Sequence, residues 1–238
     1  MVEHEHQSGE EHDIPLSSEA QRATSSNFIA YGILMETSLV PLAWIIGLLS
    51  GLWTLEELVA GSHQLLSPAH LGLGVLATLP MLVLLVIVLH ASGPAFVRMR
   101  AFLEETLAPA IRESSLVTLL GLSLAAGMGE EWLFRGVLQS GLLDWWESAP
   151  VPLVILVVAI AFGVCHWITH LYFLLATITG IYLGWLYWVT DSLVEPILAH
   201  VLYDFIALLV IARQRTEPLR HRNPGEVEEM DKAGGQPE

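Results

Sequence analysis

The chain has 238 residues, 53% of them hydrophobic, with a mean hydropathy of +0.57 and a formal net charge of −15. Soluble domains hold about 45–50% apolar residues even with glycine counted, so the composition excludes an ordinary soluble domain, and the acidic balance argues against nucleic acid as a partner. The single cysteine, Cys165, excludes an intrachain disulfide.

Residues 1–26 carry six acidic residues among Gly, Pro, Ser and His. They lack the basic region of a signal peptide, so the first apolar segment is read as an uncleaved span and the tail before it as disordered and acidic. Residues 27–212 read as one membrane-embedded helical domain, and residues 213–238, again with six acidic residues, as a disordered cytoplasmic tail. The fold class is all-α, a polytopic membrane bundle. A span needs about 20 apolar residues, and six candidates lie at about 28–52, 73–91, 115–144, 151–169, 173–189 and 193–212.

The first span contains Glu36, an acid with no role evident from the sequence. Between the second and third, from Pro94 to Glu113, apolar residues recur at near-helical spacing among Arg98, Arg100 and Arg112. That pattern predicts an amphipathic helix on the membrane surface. The third span carries Gly-Glu130-Glu131-Trp-Leu-Phe-Arg135-Gly. A charge at the centre of a bilayer helix costs roughly 2.5–3.5 kcal/mol, so three such groups within six residues mark a functional site. Glu131 and Arg135 are four apart and share a face. They read as a structural pair, which leaves Glu130 free to act as a general base. On this helix alone, a buried ion network that only fixes packing is an equally good reading.

The fourth span carries Phe162-Gly-Val-Cys-His166, and the sixth His200-Val-Leu-Tyr-Asp204. A lone histidine in an apolar helix is usually a packing residue. Two of them on separate spans, with the acids, suggest a water-activating centre. His200 and Asp204 lie one turn apart, so the carboxylate can orient the imidazole. Glu130, His166 and His200 would also suffice for a catalytic zinc with an open position, although no His-Glu-x-x-His pattern is present and an obligatory metal is not favoured. Cys165 reads as a packing residue, and His170 as an interfacial one. The run His-Glu-His with His12 reads as solvated tail. Gly180 and Gly184 form a small-xxx-small pair suited to close helix packing.

Arg22, Arg98, Arg100, Arg112, Arg213, Arg215, Arg220, Arg222 and Lys232 all fall on one side of a six-span arrangement. Lysine and arginine favour the cytoplasm, which puts both termini there, in the cell membrane. Trp53, Trp145, Trp146 and Trp188 then cluster at the outer interface. His166 falls near the cytoplasmic end of its span and His200 in the outer half of its own. They can meet only if the segment before His200 dips into the core, broken near Pro196.

Glu-Glu-x-x-x-Arg, Phe-x-x-x-His and His-x-x-x-Asp, in this order on successive spans, resemble the CPBP family of intramembrane proteases. That family includes the Ras-converting CAAX endopeptidases and bacterial proteins linked to bacteriocin self-immunity. The resemblance covers about residues 115–210, with 36 and then 34 residues between Glu130, His166 and His200. It implies Glu130 as the base that activates water, His166 as a holder of that water, and His200 with residue 204 facing the oxyanion. Glu131 and Arg135 would be the structural pair. Partners would be the lipid bilayer and a membrane-associated peptide or protein of CAAX or bacteriocin type. The CAAX endopeptidases have asparagine where this chain has Asp204. An ionised aspartate cannot donate to an oxyanion, so Asp204 must be protonated or act through His200. A proton-coupled transporter, and an immunity or scaffold protein without turnover, are the other readings. Six spans without an inverted repeat count against the transporter.

Overall fold

The computed structural model describes residues 18–52 and 68–213, with side chains described from Asn27 onward. The expected disorder of the tails, the loop with Trp53, and Arg22, Arg215, Arg220, Arg222 and Lys232 lie outside what it describes. Every regular element among the described residues is helical. In chain order they are α1 (Ser18–Leu49), α2 (Pro68–His90), α3 (Pro94–Thr106), α4 (Ala108–Arg112) and α5 (Leu116–Glu131). A π-helical segment (Trp132–Gln139) follows, then α6 (Ser140–Trp145), α7 (Val151–Cys165), α8 (His170–Thr190) and α9 (Val194–Arg213).

Among the described residues, five helical stretches are long and apolar enough to cross a bilayer: Asn27–Leu49, Pro68–His90, Leu116–Trp145, His170–Thr190 and Val194–Arg213. The fourth expected span, 151–169, is shorter than predicted. With 15 residues, α7 rises about 22 Å, below the roughly 30 Å of a hydrocarbon core. The outward faces are aliphatic: Val75, Leu79, Val83 and Val86 on α2 are all exposed. Patches of that size are not left to water. The chain is an integral membrane protein.

Helix ends are closed locally. The Ser115 hydroxyl accepts from Thr118 N–H at the start of α5, and the Thr169 hydroxyl from Tyr172 N–H at the start of α8. The surface segment is helical as expected but divides at Leu107, just before Pro109. It does more than lie on a surface. Arg100 donates to the carbonyls of Val88 and Ala91 at 2.6 and 2.8 Å, which caps the end of α2. Arg112 pairs with Glu104.

The interior holds polar groups among its apolar ones, where the exterior is apolar. Ser123, Glu131, Arg135, Gln139, Glu195 and His200 are all buried. Without water in the bilayer, helices associate by close packing and hydrogen bonds. Gly180 and Gly184 serve both. A Cβ on Gly180 would sit 3.2 Å from Ala159 of α7, and one on Gly184 would sit 2.7 Å from the Gln139 amide oxygen. Their carbonyls accept from Arg135 Nη2 at 3.0 Å and Gln139 Nε2 at 2.9 Å. Both donors lie in the π-helical segment. The Ser140 and Tyr187 hydroxyls meet at 2.7 Å. That contact sets the ends of α6 and α8 side by side, where Trp145, Trp146 and Trp188 are exposed. At the first turns of α2 and α9, His70 is hydrogen-bonded to buried Glu195.

Candidate active site

Glu130 is the penultimate residue of α5 and is buried. One carboxylate oxygen, Oε1, lies 3.5 Å from His166 Nε2, and Oε2 lies 3.8 Å from His200 Nε2. His200 Nε2 is also 3.5 Å from Asp204 Oδ2. The four groups expected to act together therefore surround one point, drawn from three segments that are far apart in sequence.

The way His166 reaches Glu130 differs from the expectation. No dip precedes His200. Pro196 sits in the first turn of α9, where a helix needs no N–H, and the helix runs on unbroken to Arg213. The expected span 151–169 instead ends at Cys165, and His166 leaves the helix with φ −102° and ψ 21°. The meeting is made by a short α7, not by a broken α9. His166 Nδ1 is 2.9 Å from the Phe162 carbonyl. A carbonyl can only accept, so Nδ1 carries the hydrogen, and the neutral ring presents a lone pair on Nε2 towards Glu130.

Glu131 and Arg135 form the expected pair at 2.7 Å, with both side chains fully buried. The Arg135 guanidinium also lies 4.9 Å over the Phe162 ring. The same Glu131 oxygen that accepts from Arg135 accepts from His200 Nδ1 at 2.8 Å. Asp204, expected to orient His200, faces its other ring nitrogen, Nε2, at 3.5 Å. Glu131 is the orienting carboxylate, so it belongs to the site as well as to the packing. The i,i+4 spacing revealed only its arginine partner. The histidine comes from 69 residues away, a pairing that no local pattern carries.

These groups line a cavity of about 360 Å³. One end is polar, with Glu130, His166, His200, Asp204 and Tyr172. The other is walled by aliphatic residues of α2, α3 and α9, among them Leu84, Val88, Leu103, Leu107 and Ile211. Glu36 of α1 also lines it, and its Oε2 is buried without a hydrogen-bond partner among the described residues. The sequence marked Glu36 as an intramembrane acid but not its location. Its place follows from Gly129, where a Cβ would collide with the Glu36 carbonyl, so α1 and α5 touch backbone to backbone beside Glu130.

Cys165 is exposed rather than packed, and neither it nor His170 lines the cavity. Both histidines hold Nδ1 on an acceptor, as metal-ligating histidines do. Yet no group of three or more His, Cys, Asp or Glu side chains among the described residues is placed to hold one ion.

Residues 112–206 match the family model of the Rce1-like type II CAAX prenyl endopeptidases. No curated protein and no solved structure matches the chain.

Proposed function

We propose that this chain, which belongs to the CPBP/CAAX family of intramembrane proteases through residues 112–206, hydrolyses a peptide bond in a membrane-associated substrate with water activated by Glu130. The observation that carries this reading is the Glu130–His166 pair, 3.5 Å apart on the wall of an open cavity. Water between them donates one hydrogen to Glu130 Oε1 and the other to the lone pair on His166 Nε2. Its oxygen lone pair is then free to attack a carbonyl carbon lying in the cavity. Glu130 takes the proton as the C–O bond forms and the carbonyl electrons move to oxygen. The tetrahedral intermediate collapses, the C–N bond breaks, and the leaving amine receives the proton from Glu130. His200, with Nδ1 fixed by Glu131, faces the oxyanion through Nε2 when that nitrogen is protonated. Arg135 neutralises Glu131, which leaves Glu130 as the working base.

The aliphatic end of the cavity suits the apolar part of such a substrate, a CAAX-type or bacteriocin-like peptide. Glu130→Gln preserves shape and removes the base. Cleavage should fall by about 10²–10⁴-fold, the usual contribution of a general base, at unchanged folded yield in detergent. Mass spectrometry of the membrane peptidome from wild-type and Glu130→Gln cells reads this directly. Identical peptidomes from equally expressed proteins would overturn the reading. Flux across vesicles that depends on Glu130 would favour a transporter instead.

The one-sided Lys and Arg distribution supports a cell-membrane protein with both termini cytoplasmic. Reporter fusions at the two ends should both score cytoplasmic. An external signal from either end would refute this orientation.

A further inference from the structure

We infer that Tyr172 is a further catalytic residue of this site, donating its phenolic hydrogen to the oxyanion of the tetrahedral intermediate. The inference rests on the peptidase reading above and begins from a count of donors. His166 Nδ1–H is committed to the Phe162 carbonyl and His200 Nδ1–H to Glu131. In their neutral forms both rings therefore turn only a lone pair, Nε2, towards the cavity. Glu36, Glu130 and Asp204 offer only acceptors when ionised. When His200 Nε2 does carry a hydrogen, two carboxylates already face it, Asp204 at 3.5 Å and Glu130 at 3.8 Å. The Ser123 hydroxyl, on the cavity wall, is bonded to the Leu119 carbonyl. The acids and histidines of this cavity hold water well but offer few donors for the negative charge that forms on the carbonyl oxygen, which leaves the hydroxyls of Tyr172, Thr179 and Tyr203 on its wall.

Tyr172 supplies one. It lines the same cavity, and its ring centre lies 6.2 Å from that of His166. Its hydroxyl has no hydrogen-bond partner among the described residues, and a phenol is protonated at neutral pH. Its backbone is held in the first turn of α8 by the Thr169 cap, at 3.1 Å, so the side chain is presented from a fixed point. Tyr203 also lines the cavity, and its ring packs against the cluster of Ala77, Met81, Leu183, Leu186 and Ala199. The phenol thus provides at this site the neutral donor that aspartate at position 204 does not.

The test uses the full-length protein in detergent with fluorescence-quenched peptides, each made with and without an S-farnesyl group. Wild type, Glu130→Gln and Tyr172→Phe are compared. Loss of one oxyanion donor typically costs about 10²–10³ in kcat. Tyr172→Phe should lose about 10²-fold in kcat at unchanged KM and unchanged thermal midpoint. A Tyr172→Phe enzyme within twofold of wild-type kcat, or one impaired only in KM or in folding, overturns the inference while Glu130-dependent cleavage upholds the peptidase reading. Cleavage that is equal in wild type and Glu130→Gln overturns both.

Discussion

Glu131→Gln should be the most damaging single substitution in the molecule, worse for the protein than Glu130→Gln. Glu131 is fully buried and accepts from both Arg135 and His200. A neutral amide leaves the Arg135 guanidinium as a buried, uncompensated charge, which costs about 3–5 kcal/mol. That is a large share of a typical total stability of about 5–15 kcal/mol. The amide also loosens the orientation of His200. Its oxygen, in the place of Oε1, meets the same two donors without the negative charge that holds them. Folded yield in detergent, read by size-exclusion chromatography, should therefore fall sharply. Any protein recovered should be impaired in kcat, because His200 Nε2 is no longer aimed. Arg135→Leu should cause the same loss of yield, since it strands the carboxylate instead. The ranking is sharp: a stable Glu131→Gln beside an unstable Glu130→Gln would mean that the roles of the two acids are reversed.

Gly163→Ala should come second, and it removes no polar group at all. A Cβ at Gly163 would collide with the Thr177 hydroxyl and lie 2.9 Å from the Phe173 carbonyl. A backbone carbonyl cannot move aside without moving α8. Overpacking of this kind costs typically about 1–3 kcal/mol, and its consequence reaches the site. Phe162 and His166 flank Gly163 on the same last turn of α7, and His166 depends on the Phe162 carbonyl for its tautomer. Pushing α7 away from α8 withdraws His166 from Glu130. The expected result is a lower thermal midpoint together with a loss of kcat, although every catalytic side chain is present. Adding Thr177→Ala removes the nearest clash but leaves the carbonyl, so the double variant should recover only part of both losses. Full recovery would place the whole clash on the Thr177 side chain.

The composition and the order of apolar segments were enough to define a helical membrane protein. The cost of a charge in lipid was enough to single out Glu130, Glu131, Arg135, His166, His200 and Asp204. These are arguments of hydropathy and of i,i+4 spacing, and both are local. The Glu131–Arg135 pair is of that kind, and it holds at 2.7 Å. The length of α7 was not legible, because apolar residues continue through Trp167 and Ile168. What stops the helix is the Phe162 carbonyl taking the His166 ring and the Thr169 cap beginning the next helix. The tertiary structure alone decided three things. Glu131 orients His200. Glu36 joins the cavity because Gly129 lets two backbones touch. Tyr172 lines the same cavity as Glu130. Each depends on groups far apart in sequence or on the absence of one Cβ. A bilayer with no water to satisfy polar groups forces such partners together, but only the packing of the helices says which ones meet.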